Sequence, residues 1–374
     1  MKIEIRNKCS DFKSYRAARV KSLFNVESGC DFSKDVVLPI DDDDWQIGLV
    51  VGPSGSGKTS IGKKIFGSEA IWEPDWPADQ PIIDVIDSSG DFNAVTGSLA
   101  SVGLGDVPSW LRPFQVLSNG EKFRANLARL VSECPDNVVV DEFTSVVDRQ
   151  IAKIGALAFQ KAWRRTKKKV VLLSCHYDVI DWLEPDWVYD TQKGEYAGRR
   201  LWRRPKFDFE IYETDWRYWS LFEPHHYLKV PKMVAAKCYV ATVSGEPVAH
   251  VAFSTRPGLK EARACRLVVM PEWQGAGVGL RFLNAVCEEW LQGRNRFEKK
   301  MPTLFHTSHP GLVAALRRLP QWRQVSGMIC GVNKEKSAAG IKKSLKKAHA
   351  TGGYGGHFRA VQGFRYYGSL VANS

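Results

Sequence analysis

The chain has 374 residues, 44% of them hydrophobic and 25% charged, and a formal net charge of +12. This length accommodates two domains with separate cores, and the composition excludes a disordered or collagen-like class. No run of eighteen apolar residues is present, which excludes a membrane-spanning helix, and the eight cysteines lack any Cys-x-x-Cys pair, which favours reduced thiols in a cytoplasmic setting.

The opening Met1-Lys2-Ile3-Glu4-Ile5-Arg6 alternates like a strand and lacks the apolar block of a secretion signal. Residues 47–51 are a short, fully apolar strand that feeds Gly52-Pro53-Ser54-Gly55-Ser56-Gly57-Lys58-Thr59, and residues 60–66 continue as a helix. Strand, glycine loop and helix in this order form a phosphate-binding loop. Its glycines let backbone N–H groups turn inward on phosphate, Lys58 reaches the β- and γ-phosphates, and the Thr59 hydroxyl binds Mg²⁺. Leu117-Ser118-Asn119-Gly120-Glu121 comes next. Val138-Val139-Val140-Asp141-Glu142 then sets an acidic pair at the tip of a buried strand. There Asp141 can hold Mg²⁺ and Glu142 can polarise an attacking water. Ser145-Val146-Val147-Asp148 follows, and a strand at 170–174 ends at Cys175-His176, which places His176 to sense a γ-phosphate. Apolar runs of this kind suit a parallel α/β sheet buried on both faces.

Arg199-Arg200-Leu201-Trp202-Arg203-Arg204-Pro205 marks the expected boundary, dividing the chain into 1–205 and 206–374. The first part holds 28 Lys and Arg against 29 Asp and Glu, the second 25 against 12. All of the excess positive charge therefore lies in the second part, which implies a polyanionic partner such as nucleic acid; a merely basic soluble domain is the plainer alternative. Strands are expected at 208–212, 238–243, 247–254 and 262–270, then a helix at 279–291, a strand at 303–307 and a helix at 311–319. A basic insertion at 333–356, carrying Lys334, Lys336, Lys342, Lys343, Lys346 and Lys347, precedes a last strand at 358–367. Between strand 262–270 and the helix lies a second glycine loop, Gln274-Gly275-Ala276-Gly277-Val278-Gly279, whose N–H groups and following helix suit a pyrophosphate.

The first part resembles the nucleotide-binding domain of the ABC ATPase superfamily. Residues 52–59 match its Walker A loop, 117–121 its signature, 138–142 its Walker B strand, 145–148 its D-loop and His176 its switch histidine. The resemblance implies a homodimer in which ATP lies between one subunit's loop (Gly52, Ser54, Gly55, Ser56, Gly57, Lys58, Thr59) and Ser118 and Gly120 of the other, with Mg²⁺ on Thr59 and Asp141. Departures are a short helical segment between Thr59 and Leu117, and Phe143 where proline is frequent. Gln80 is a weak match for the usual linking glutamine, and Phe24 is a possible adenine-stacking residue. These departures look more like soluble ABC ATPases that act on nucleic acids than like transporters.

The second part, with Gln-x-x-Gly-x-Gly after a strand, resembles the GNAT family of acyl-CoA transferases, an α+β fold. The resemblance implies acetyl-CoA or another acyl-CoA, with Val268, Val269 and Met270 along the pantetheine and Gln274, Gly275, Ala276, Gly277, Val278 and Gly279 around the pyrophosphate. Acyl transfer to an amine needs a base and an acid for the leaving thiolate. Glu261, Glu272, His306 and His309 are base candidates, with His306 and Ser308 preferred; His309-Pro310 equally suits a helix cap. Tyr366 or Tyr367 can donate to the thiolate, the alternative being core aromatics. The expected function is an ATP-hydrolysing N-acyltransferase acting on a DNA or RNA base. The alternatives are an ABC ATPase of repair or defence with an inactive, nucleic-acid-binding GNAT-like domain, and an ATP-regulated acetyltransferase of proteins or small amines.

Overall fold

The computed structural model describes residues 1–8, 13–24, 31–41, 44–133, 135–198, 208–226, 232–233, 235–255, 261–330 and 359–368. The basic insertion at 333–356 lies outside the described residues, as does the side chain of Phe24. The chain forms two compact units: Met1–Asp75 with Cys134–Ala156 and Gln160–Arg204, and Trp76–Glu133 with Leu157–Phe159 and Pro205–Ser374. The segment between the phosphate loop and the acidic strand thus packs with the back of the chain.

In chain order the first unit opens with β1 (Lys2–Lys8), α1 (Tyr15–Phe24), β2 (Asp31–Val37), β3 (Ile47–Val51) and α2 (Lys58–Phe66). The second unit takes α3 (Ile82–Val85), α4 (Phe92–Ser101), α5 (Val107–Trp110) and α6 (Asn119–Glu133). β4 (Asn137–Val140), α7 (Arg149–Trp163), β5 (Lys169–Ser174), α8 (Ile180–Leu183), β6 (Trp187–Asp190) and β7 (Glu195–Ala197) follow. The remainder is β8 (Glu210–Thr214), α9 (Trp219–Phe222), β9 (Lys237–Val243), β10 (Glu246–Thr255), β11 (Ala262–Val269), α10 (Val278–Leu291), β12 (Thr303–Thr307), α11 (Pro310–Arg318), β13 (Trp322–Cys330) and β14 (Arg359–Tyr366).

The first unit is built on a sheet in the order β4-β5-β3-β6-β7, parallel except for the edge strand β7. Every residue of β3 is buried, as a central parallel strand covered on both faces requires. Ile3, Ile5 and Val36 of the antiparallel pair β1–β2 share a core with Val50, Ile61, Val139, Val171 and Leu173. Asp148 caps α7 by accepting from the N–H groups of Gln150 and Ile151, which defines the turn after the acidic pair.

The second unit carries a seven-stranded sheet in the order β13-β14-β12-β11-β10-β9-β8. β11 and β12 run parallel and are joined through α10, the crossover that parallel neighbours need. They pair only at Ala262–Thr303, Arg263–Leu304 and Ala264–Phe305, and beyond Phe305 the two strands part. Against β10, β11 carries one extra residue: His250 faces Val268 while Ala252 faces Cys265. Arg266, at φ 57°, takes up this bulge. β13 is not announced by its sequence, since Arg323, Gln324 and Val325 are all exposed on this edge strand. α4 packs on α6 and also on α11, closely enough that a Cβ on Gly311 would fall 2.3 Å from the Ala100 methyl.

Candidate functional site

The first cradle is the loop between β3 and α2. Gly57, at φ 89° and ψ 14°, is the N-cap of α2, and Gly55 also has a positive φ, 75°. These left-handed conformations are nearly free for glycine and costly for other residues. A Cβ on Gly55 would meet nothing within 4 Å. Lys58 lies across the loop, its Nζ donating to the carbonyls of Gly52 and Pro53 at 2.9 Å each. The Thr59 hydroxyl donates to Asp141 Oδ2 at 2.7 Å, so a hydroxyl and a carboxylate converge as a Mg²⁺ site requires. Ser56 meets the Thr191 hydroxyl at 2.6 Å, and Ser54 is exposed.

Beyond Asp141 the backbone turns sharply. Glu142 and Thr144 have φ of 52° and 71°, a conformation unusual for non-glycine residues and common where side chains are aimed for function. Phe143 is buried at this turn, its N–H bonded to the Leu173 carbonyl. Burial and the nearby Arg149 lower the pKa of His176, against the opposing charges of Asp178 and Glu142, so the ring is neutral at pH 7. Its ring nitrogens lie 3.5 and 3.7 Å from Cys175 Sγ. Thr59, Asp141, Glu142 and His176 thus gather around one loop in the first unit, an arrangement that fits ATP and Mg²⁺.

Ser118 and Gly120 belong to the second unit, at the start of α6. Glu121 organises this turn: its Oε2 accepts from the Ser118 N–H at 2.8 Å and its Oε1 from the Ser109 hydroxyl at 2.5 Å. Burial works against the Glu121 carboxylate, and the hydrogen bonds from Ser109 and Ser118 outweigh it, lowering its pKa. Gln80 is exposed within the second unit.

The second cradle is the loop between β11 and α10. Gly277, at φ 83° and ψ 10°, is the N-cap of α10, and Gly275 stands at φ 91°, the same left-handed pair seen in the first cradle. Gly277 is exposed, and a Cβ there would meet nothing within 4 Å. Gly275 is covered: a Cβ would lie 2.8 Å from that of Ala158 and 3.2 Å from Gly103 Cα. Val278 and Ala276 are buried, and Gly279 packs on Val269. The Met270 N–H is spent on the Val248 carbonyl at 2.9 Å, and Val268 pairs with His250. Alternation therefore turns the backbone of Val269 toward the gap between β11 and β12. There its carbonyl accepts from Gln274 Nε2 at 3.0 Å. The cradle is open at its Gly277 end, while its Gln274–Gly275 end is filled by the chain itself.

His306 and Ser308 follow Phe305, the last residue of β12 paired with β11, at the open end of the gap, and both are half-buried; His306 still pairs with Gly363 of β14. His309 caps α11: its Nδ1 accepts from the Leu312 N–H at 3.3 Å, and its Nε2 bonds the Gly105 carbonyl at 3.1 Å. Tyr366 pairs with Thr303 at the closed end of the gap and is 2% exposed. Its hydroxyl lies 3.0 Å from Glu288 Oε2, so it occupies a core position away from the open end. Glu261 pairs with Arg365 at 2.9 Å, and Glu272 is half-buried on the loop.

Two buried polar residues escape sequence reading. His250 sits in an apolar strand among Trp216, Trp219 and Phe222, with ring centroids 5.2–5.8 Å away. Its Nδ1–H donates to the Arg266 carbonyl at 3.2 Å, and burial pushes its pKa down to about 4. Arg124, one turn into α6, is 4% exposed, and burial lowers its pKa to about 10. The signal for Arg124 was its spacing from the core residues Leu127 and Ala128.

The acetyltransferase (GNAT) family model matches residues 208–317. The cytochrome c biogenesis ATP-binding export protein CcmA of Rhodospirillum rubrum is 28% identical over 165 residues, covering 35% of this chain and 68% of that protein. Among solved structures, the dimeric ATP-binding cassette MJ0796 in a post-hydrolysis state with ADP and phosphate is 14% identical at a TM-score of 0.38. The likeness covers 54% of this chain and 99% of that one. A second dimeric structure of MJ0796, a bacterial ABC transporter cassette, is 13% identical at a TM-score of 0.37, with the same coverage. No helix among the described residues is long and apolar enough to cross a membrane.

Proposed function

From a chain whose back part carries a GNAT domain and whose front part resembles an ABC ATPase cassette, we propose an ATP-hydrolysing, acyl-CoA-dependent N-acyltransferase that modifies a nucleic acid. The observation that carries the transferase reading is the parting of β11 and β12 beside a glycine loop whose Gly277 end is open. Acyl-CoA, when bound, supplies an acyl group activated as a thioester and leaves as coenzyme A. Gly277, Val278 and Gly279 would hold its pyrophosphate with the first N–H groups of α10, which have no acceptor within the helix. Val269 would orient the pantetheine arm from β11, and His306, at the open end with Ser308, would take the proton of the attacking amine and pass it to the departing coenzyme A thiolate.

In the front part, Lys58, the loop glycines and the Thr59–Asp141 pair would hold MgATP. Glu142 would orient the water and neutral His176 would contact the γ-phosphate. Ser118 and Gly120 of a second copy would complete the site, making the working form a homodimer. The nucleic-acid reading is supported by the charge split, 25 Lys and Arg against 12 Asp and Glu beyond residue 205.

The test is to incubate the full chain with ATP and labelled acetyl-CoA, offering DNA, RNA and protein in parallel. Label entering DNA or RNA is the expected result. Salt-sensitive nucleic-acid binding without any label would leave a binding module on an ATPase. Label entering protein, with no salt-sensitive binding, would make it a protein acetyltransferase. Replacing Lys342, Lys343, Lys346 and Lys347 together should flatten the salt dependence; an unchanged slope removes the insertion from the interface.

A further inference from the structure

The segment Gly103-Leu104-Gly105, between α4 and α5, has all three of its carbonyls engaged. Arg124 Nη1 donates to the Gly103 carbonyl, Trp110 Nε1 to that of Leu104 at 2.8 Å, and His309 Nε2 bonds that of Gly105 at 3.1 Å. The Gly105 N–H donates to Gln274 Oε1 at 3.0 Å. Gln274 follows β11 and His309 follows β12. One residue, Gly105, therefore bridges the ends of the two strands that part to form the pantetheine gap. Gln274 is itself turned inward, its Nε2 on the Val269 carbonyl and its own carbonyl accepting from Arg124 Nη1 at 3.2 Å. Gly103 also lies against Gly275, covering that end of the cradle.

The same segment is tied to the signature turn. Asp106 and Glu121 share the Ser109 hydroxyl at 2.5 Å each, and Arg124 stands on α6, the helix that the signature opens. Arg124 is also held without full compensation. It is buried, and its Nη2 finds no acceptor among the described residues, an unfavourable state that the charge of Glu272 offsets only in part.

We propose that the 103–105 segment is a latch across the mouth of the acyl-CoA gap, and that engagement of ATP by the signature turn opens it through Arg124. This rests on the acyl-CoA reading of the 274–279 loop. With the latch shut, the backbone of Val269 and the Gly275 end of the cradle are occupied by the chain's own groups. With it open, both become available to the pantetheine arm and the pyrophosphate, so the transferase is armed only in the ATP-bound dimer.

The test measures equilibrium binding of coenzyme A to the full chain carrying Glu142→Gln, with and without MgATP, alongside the same chain with Arg124→Met added. MgATP is expected to tighten coenzyme A binding about tenfold in the first protein. In the second, binding should be tight without ATP and shift less than about twofold when ATP is added. Equal affinity in all four conditions would leave the acyl-CoA reading standing and overturn the latch. No binding in any condition would overturn the reading and the latch with it. Hydrogen exchange at Gly105 in the unsubstituted chain decides the matter if Arg124→Met does not fold: the amide should exchange faster with MgATP, and unchanged protection overturns the proposal.

Discussion

The two cradles share a backbone and differ in what covers it. Each ends in a left-handed glycine that caps a helix, Gly57 at φ 89° and Gly277 at φ 83°, with a second left-handed glycine two positions earlier. In the nucleotide loop that earlier glycine, Gly55, faces open space; in the other, Gly275 is pressed between Ala158 and Gly103. The self-contacts differ too. Lys58 covers its loop with one flexible side chain that a phosphate can draw away, whereas Gln274 is held by Arg124, Gly105 and Val269 together. One loop is covered by a single side chain, and the other is open at Gly277 and filled by the chain at Gln274 and Gly275.

That contrast can be broken or sharpened by four measurements. The largest effect is expected at the open cradle: Glu142→Gln should slow ATP hydrolysis on the order of 10³-fold while nucleotide binding persists. Phosphate release above a tenth of the original rate would remove Glu142 from its role. Next is the acid sensitivity of the covered unit. His250 is neutral when folded, with a pKa near 4, and regains its ordinary value of 6.5 when unfolded. The unfolded state then binds the extra proton, so stability is fully present above pH 6.5 and falls as the pH drops toward 4. The total loss is roughly 3 kcal/mol. His250→Asn should remove this slope in chemical denaturation; an unaltered slope assigns it to other groups.

A matched pair of substitutions comes third. Gly275→Ala adds a methyl to an occupied contact as well as backbone strain, and should cost about 2 kcal/mol. Gly55→Ala adds strain alone, about 1 kcal/mol. Equal costs in thermal unfolding would mean that the two loops are equally exposed. The smallest effect is expected for Tyr366→Phe, about 0.5–1 kcal/mol of stability from the lost bond to Glu288, with acyl transfer unchanged. A tenfold loss of transfer at unaltered stability would return Tyr366 to the chemistry.

Sequence reading succeeded where the backbone dictates residue type. Glycines that must adopt positive φ and apolar strands buried on both faces leave marks in the order of residues, so β3, the phosphate loop, β12 and the start of α10 were all legible. His309-Pro310 was legible as either base or cap, and the structure engages both ring nitrogens, one in the cap and one on Gly105. What could not be read was tertiary docking. Gly103-Leu104-Gly105 looks like any turn, and Gln274 looks like a family signature residue rather than a partner of Gly105. His250 was hidden because an apolar strand buried without a break from Val248 to Phe253 gives no hint that one position holds an imidazole bonded to the bulge carbonyl of Arg266.

The close seating of α4 on α11 bears on how such a gene could be divided. A fragment beginning after residue 205 would leave bare the surface of α11 where Ala100 now sits, together with the ring of His309 that Trp110 covers. A fragment ending there would strand α4 without the support of α11. The first unit omits residues 76–133 and the second takes them in, so neither half of the sequence is a cassette that recombination could cut out and paste elsewhere intact.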